Sequence, residues 1–178
     1  MSRSNNLLVT IIGSLIALIL QVTLSSNLAI AGATMEISLV FVAANAFRTT
    51  RLQATLAGFI LGLLVDLACG TPLGVRALAY CLVAFVVNSL GGSDNLSSLL
   101  LRYLLLILAV LAGELGMAVL MSIIGYDSDI LYTLVSQTLP GSLYNAVIAL
   151  PFLLWIRPPK APKAPIGRTL KHTSPRFR

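Results

Sequence analysis

The chain has 178 residues and a formal net charge of +6, yet 57% of them are hydrophobic and only 10% are charged; the mean hydropathy is +0.94. Soluble domains carry about 25% charged residues, so this composition excludes a soluble domain and predicts an all-α polytopic membrane protein. The basic excess also excludes a nucleic-acid surface: residues 157–178 hold seven of the twelve Lys and Arg and no acid, which leaves five bases against six acids in the remainder.

Hydropathy divides the chain into six apolar segments, roughly 7–26, 35–47, 52–69, 75–90, 99–124 and 131–156. A helix needs about 20 apolar residues to cross a hydrocarbon core of about 30 Å, so each is expected to be a transmembrane helix. The first follows a short polar start containing Arg3. Ala29-Ile30-Ala31 resembles a signal-peptide cleavage site, but the apolar run before it exceeds the usual ~7–15 residues, which favours a retained anchor. The second segment is short and opens near Glu36. Arg48 and Arg51 bracket a tight turn into the third segment.

The third and fourth segments are joined by Gly70-Thr71-Pro72-Leu73-Gly74, a Pro/Gly turn. A second loop is expected over Gly91-Gly92-Ser93-Asp94-Asn95, and an acidic turn at Asp127 and Asp129. Pro140-Gly141 is expected to break or kink the sixth helix, and Pro151 falls in its final turns. Residues 157–178 contain five prolines and few apolar side chains, so they are read as a disordered basic tail that fixes topology and touches lipid headgroups. Residues 1–156 then form one six-helix transmembrane domain.

Six spans place both termini on one side. Putting that side in the cytoplasm gathers Arg3, Arg48, Arg51, Arg102 and the seven tail bases inside and leaves only Arg76 outside, as the positive-inside rule requires.

No catalytic constellation is visible. The single histidine, His172, lies in the tail, and there is no Gly-rich phosphate loop, no metal-spaced His/Cys cluster and no paired catalytic carboxylates. Neither a cofactor nor a metal is implied, and Cys69 and Cys81 are assigned packing roles. Three features stand out instead. Gly58, Gly62 and Asp66 are four apart and share one helix face. The glycines allow close approach of another helix, and Asp66 should therefore face protein rather than lipid.

Arg76 opens the fourth helix at the end whose dipole disfavours a cation. Asp66 is its nearest candidate partner, so an Asp66–Arg76 pair is expected to staple the hairpin, either as a purely structural device or as a partner-docking surface. The second feature is Glu114 inside the fifth span, flanked by Gly113 and Gly116, with Asn145, Tyr144, Gln137 or Asn88 as candidate partners. The third is the interrupted sixth helix, since broken helices expose backbone groups and often line transporter sites.

The run Gly58-Phe59-Ile60-Leu61-Gly62-Leu63-Leu64-Val65-Asp66-Leu67, followed by Gly70 and by Leu73-Gly74-Val75-Arg76-Ala77-Leu78-Ala79, resembles the signature of the MreD family of rod shape-determining membrane proteins. Glu36 opening the second span, Glu114 late in the fifth, and Asn145 and Pro151 in the last helix agree more loosely; the long proline-rich tail exceeds the family pattern. The resemblance implies a non-enzymatic inner-membrane scaffold of the cell-wall elongation machinery. Its direct partner would be MreC, with RodA, the elongation transpeptidase and the actin-like filament in the wider complex. The family is similar in fold to the substrate-binding components of energy-coupling-factor vitamin importers, which supplies the alternative: a small-molecule binding component. Gly13-x-x-x-Ala17 faintly resembles the small-residue motif by which those components dock.

Overall fold

The structure is a computed structural model that describes residues 3–27, 35–91, 98–125 and 138–154. Ala29-Ile30-Ala31, most of the second loop, the acidic turn, Gln137 and the basic tail lie outside the described residues. Within them the chain is all-helical: α1 (Arg3–Asn27), α2 (Ile37–Ala46), α3 (Arg51–Cys69), α4 (Val75–Gly91), α5 (Leu99–Ile123) and α6 (Leu139–Ala149), then a short 3-10 turn, Pro151–Leu154. Three of these helices contain stretches long and apolar enough to cross a membrane unaided, Leu7–Leu24, Arg51–Cys69 and Leu99–Ile123; α2 and α4 are apolar but shorter.

The distribution of side chains is inverted relative to a water-soluble bundle. Leu56, Ile60, Leu82, Leu100, Leu104 and Leu108 point outward, whereas Gln21, Glu36, Asn45, Asp66, Glu114 and Asn145 are buried. Apolar exteriors around polar interiors are what lipid demands, because an unpaired polar group in hydrocarbon costs several kcal/mol.

The hub is α2. Its sequence, ISLVFVAANA, has no polar face, and all ten residues are buried, as expected for a helix that is apolar on every side. It packs against all five other helices. At about 15 Å it covers only half of the hydrocarbon core, so its ends would leave unpaired backbone groups in a dry environment. Neighbouring side chains satisfy them. Gln21 of α1 accepts the Ser38 N–H (3.1 Å) and donates to the Met35 carbonyl (2.8 Å). Asn145 of α6 accepts the Glu36 N–H (3.0 Å). At the other end, Asn88 of α4 donates to the carbonyls of Ala46 (2.6 Å) and Thr49 (2.8 Å).

Helices α3 and α4 make the tightest contact. A Cβ on Gly58 would lie 2.8 Å from the Tyr80 carbonyl oxygen, and one on Gly62 would lie 2.6 Å from the Ala77 Cα and the Arg76 carbonyl oxygen. Backbone meets backbone there, and only glycine fits. The helix ends at Gly70, whose φ of +66° is the left-handed conformation that closes many helices.

Pro140 sits in the first turn of α6, where its missing N–H removes no bond within that helix; the expected break or kink at Pro140-Gly141 turns on the residues before Thr138, which lie outside the described residues. Pro151 follows the last α-helical residues and opens the 3-10 turn, where Phe152 meets Phe41 edge-on with ring centroids 6.4 Å apart.

The bundle has two chemically distinct ends. At one, Phe47 lies beneath the Arg102 guanidinium, 5.6 Å from its ring centre, and Arg51 lies over Phe85 at 5.4 Å. The other end carries Glu36, Asp66 and Arg76.

Candidate polar cluster of the helix bundle

Asp66 occupies the last turn of α3, where the helix dipole disfavours a carboxylate. Its side chain serves the next helix instead. Oδ2 accepts the backbone N–H groups of Gly74 (2.9 Å) and Arg76 (3.2 Å), and Oδ1 accepts the Thr71 hydroxyl (3.0 Å). The fully buried carboxylate thus acts as a remote cap on α4 and folds the turn around itself. A turn with Gly74 at φ +99° brings these N–H groups inward, a conformation that side chains with a Cβ rarely adopt.

Arg76 lies 3.7 Å from Asp66 through Nη1, but its shorter ion pair is with Glu36, at 3.2 Å through Nη2. The expected Asp66–Arg76 pair is thus present, and Glu36 is a second and closer partner that the turn sequence did not point to. Nη1 donates to the Thr71 hydroxyl at 2.7 Å, and that hydroxyl in turn donates to Asp66. The threonine relays the contact between the two charges. Tyr80, one turn after Arg76 on the same face of α4, donates its hydroxyl to Glu36 Oε2 at 2.8 Å.

The second expected feature joins the first through α2. Asn145 accepts the Glu36 N–H and donates to Glu114 Oε1. One hydrogen-bonded path consequently runs from Asp66 through Thr71, Arg76, Glu36 and Asn145 to Glu114, crossing α3, α4, α2, α6 and α5. Among the candidates for Glu114 the structure selects Asn145. Asn88 is committed to the end of α2, Gln137 lies outside the described residues, and Tyr144 is half-buried without joining a hydrogen bond of the cluster. Two buried atoms, Arg76 Nε and Glu114 Oε2, have no hydrogen-bond partner among the described residues.

Glu36 and Tyr80 are the members that reading the sequence missed. Glu36 was visible as an acid opening a membrane helix, and Tyr80 as a polar group in register with Arg76; only their convergence across 44 residues of chain was hidden. Chemically, the cluster presents three carboxyl groups and one guanidinium, with no nucleophile–base pair. Among the described residues no group of three His, Cys, Asp or Glu converges as metal ligands. The arrangement ties helices together and fixes the α3–α4 tip, where Leu67 and Leu73 remain exposed.

The Gly13/Ala17 stripe of α1 faces inward. A Cβ on Gly13 would lie 2.5 Å from the Phe41 ring, and the Ala17 carbonyl accepts the Ser38 hydroxyl at 3.2 Å.

A family model described as rod shape-determining protein MreD matches residues 1–158. No curated protein and no solved structure matches the chain.

Proposed function

The chain belongs to the MreD family of rod shape-determining membrane proteins, and from that premise we propose that it is a scaffold of the cell-wall elongation machinery in the bacterial cytoplasmic membrane. In this reading it spans the membrane six times with both termini in the cytoplasm. It binds MreC directly and so links the cytoskeletal filament to peptidoglycan synthesis, with RodA and the elongation transpeptidase in the wider complex. The α3–α4 tip is the docking surface: Asp66, Arg76 and Gly74 shape it, while Gly58 and Gly62 hold its two helices together.

The observation that carries this reading is the continuous polar path from Asp66 to Glu114. It uses the bundle's charges to join helices to one another, and it leaves the apolar tip of Leu67 and Leu73 outward. A scaffold needs such a rigid, presented surface. The orientation is supported by Arg48, Arg51 and Arg102 gathering at the end opposite Glu36 and Asp66. The importer alternative is disfavoured by the Gly13/Ala17 stripe, which is packed against α2 rather than turned toward a partner.

The test is to purify the tagged protein from its native membranes in mild detergent and identify what accompanies it. MreC and wall-synthesis enzymes are expected, with MreC lost from Leu73→Asp at an unchanged protein level. Recovery of an ATPase with a coupling protein would replace the scaffold by the importer reading.

A further inference from the structure

Glu36 stands at the N-terminus of α2, the position from which a polar side chain commonly bonds to the first N–H groups of its own helix. Its carboxylate makes no such bond. Other helices serve those groups: Asn145 holds the Glu36 N–H and Gln21 the Ser38 N–H. Both carboxylate oxygens turn to α4 instead, Oε1 to Arg76 Nη2 at 3.2 Å and Oε2 to the Tyr80 hydroxyl at 2.8 Å. The side chain is buried, out of reach of a docked protein. We propose that Glu36 is a positioning residue of the α3–α4 tip: it draws Arg76 away from Asp66 and so leaves the Asp66 carboxylate free to hold the turn on which the partner docks. The docking half of this inference rests on the scaffold reading above.

The distances carry the argument. A guanidinium beside a carboxylate commonly closes on it through two parallel hydrogen bonds of about 2.7–2.9 Å. Arg76 Nη1 stays 3.7 Å from Asp66 Oδ1, beyond hydrogen-bond reach. Its Nη2 is engaged with Glu36 and its Nη1 with Thr71 at 2.7 Å. Its Nε has no partner among the described residues, so the two terminal nitrogens set where the charge sits.

That position matters because Asp66 already has three other donors. Oδ2 accepts the N–H groups of Gly74 and Arg76, and Oδ1 accepts the Thr71 hydroxyl. A guanidinium bonded to both oxygens would compete with all three, and the start of α4 would lose the acceptor that Asp66 gives it. One cation is therefore divided between two carboxylates, Asp66 on α3 and Glu36 beside α2. The shape of the tip depends on a residue that is no part of it.

The test is hydrogen–deuterium exchange of the full-length protein in lipid nanodiscs, read by mass spectrometry, together with capture of MreC by the tagged protein. Glu36→Gln keeps the shape and one acceptor oxygen but removes the charge. The turn, residues 71–76, should then exchange roughly fivefold faster or more, because a charge-assisted hydrogen bond is about twice as strong as a neutral one. MreC capture should fall with it. Asn88→Ala, which loosens the opposite end of α2, should leave both exchange at the turn and MreC capture as in the wild type. In an Arg76→Gln background the Glu36 change should add nothing at the turn, since no cation remains to be divided. If Glu36→Gln does not accumulate, Glu36→Asp, which draws the charge back by one methylene, replaces it with the same expected direction.

Unchanged exchange at the turn, a rise spread equally over all helices, or a Glu36 effect that persists without Arg76 would each overturn the proposal. Faster exchange at the turn with full MreC capture would overturn its docking half. A wild-type protein that captures no MreC overturns the scaffold reading alone, and exchange at the turn still decides the role of Glu36.

Discussion

Arg76 illustrates how much one side chain can organise when its donors are directional. Its guanidinium reaches Thr71 with one terminal nitrogen and Glu36 with the other, two acceptors on different elements that a lysine ammonium, a compact point charge, does not span. Arg76→Lys should therefore fail to restore the wild-type melting temperature in detergent, and Arg76→Gln should cost about 3–5 kcal/mol by leaving buried carboxylates uncompensated. Tyr80→Phe removes only the hydroxyl donated to Glu36 and should cost about 1.5–3 kcal/mol. Thermal unfolding of the three purified variants checks the ranking; a Tyr80→Phe loss equal to that of Arg76→Gln would contradict it. At this scale the sequence was half legible. Asp66 and Arg76 announced themselves as charges ten residues apart at the ends of apolar runs. Glu36 did not declare itself as the closer partner, because nothing local connects residues 40 apart in the chain. The partner of Glu114 could be narrowed to four candidates but Asn145 could not be chosen among them, since the choice depends on how α6 sits over α2 and α5.

The elements were easier to read than their roles. Apolar runs located the helices because a spanning segment must satisfy its own backbone, and the Gly58/Gly62 spacing indicated close packing without saying which helix would approach. The crossing with α4 makes a firm expectation: Gly62→Ala forces a methyl group into the Arg76–Ala77 backbone and should destabilise by about 1–3 kcal/mol. Ala at Gly116, where a Cβ meets nothing within 4 Å, should be close to neutral. Comparing accumulation and melting of these two variants separates packing from helix propensity, which favours alanine at both sites. What the pattern concealed was α2. Ten apolar residues look like a weak span. Burial on every side turns that apparent weakness into centrality, and its dependence on Gln21, Asn88 and Asn145 is visible only once the neighbours are in place.

For the whole molecule, the asymmetry of the two ends makes topology measurable. Cys69 is exposed at the Asp66 end and Cys81 is half-buried within α4, while Ser98 is exposed just before α5 at the Arg102 end. With the orientation proposed above, a membrane-impermeant maleimide should reach Cys69 from outside the cytoplasmic membrane. It should reach Ser98→Cys, made in a background lacking both native cysteines, only after that membrane is opened. The reverse pattern would invert the bundle. The central position of α2 also constrains how the protein is made. The residue that caps the Glu36 N–H is synthesised 109 positions later, which at 5–20 residues per second is a delay of roughly 5–20 s. Throughout that interval the hub helix exists with an open end, and it is completed only when α6 arrives. Biogenesis is thus vulnerable near its finish: a ribosome that stops before Asn145 leaves a chain whose most buried helix is unfinished, the kind of intermediate that insertases hold and membrane proteases recognise.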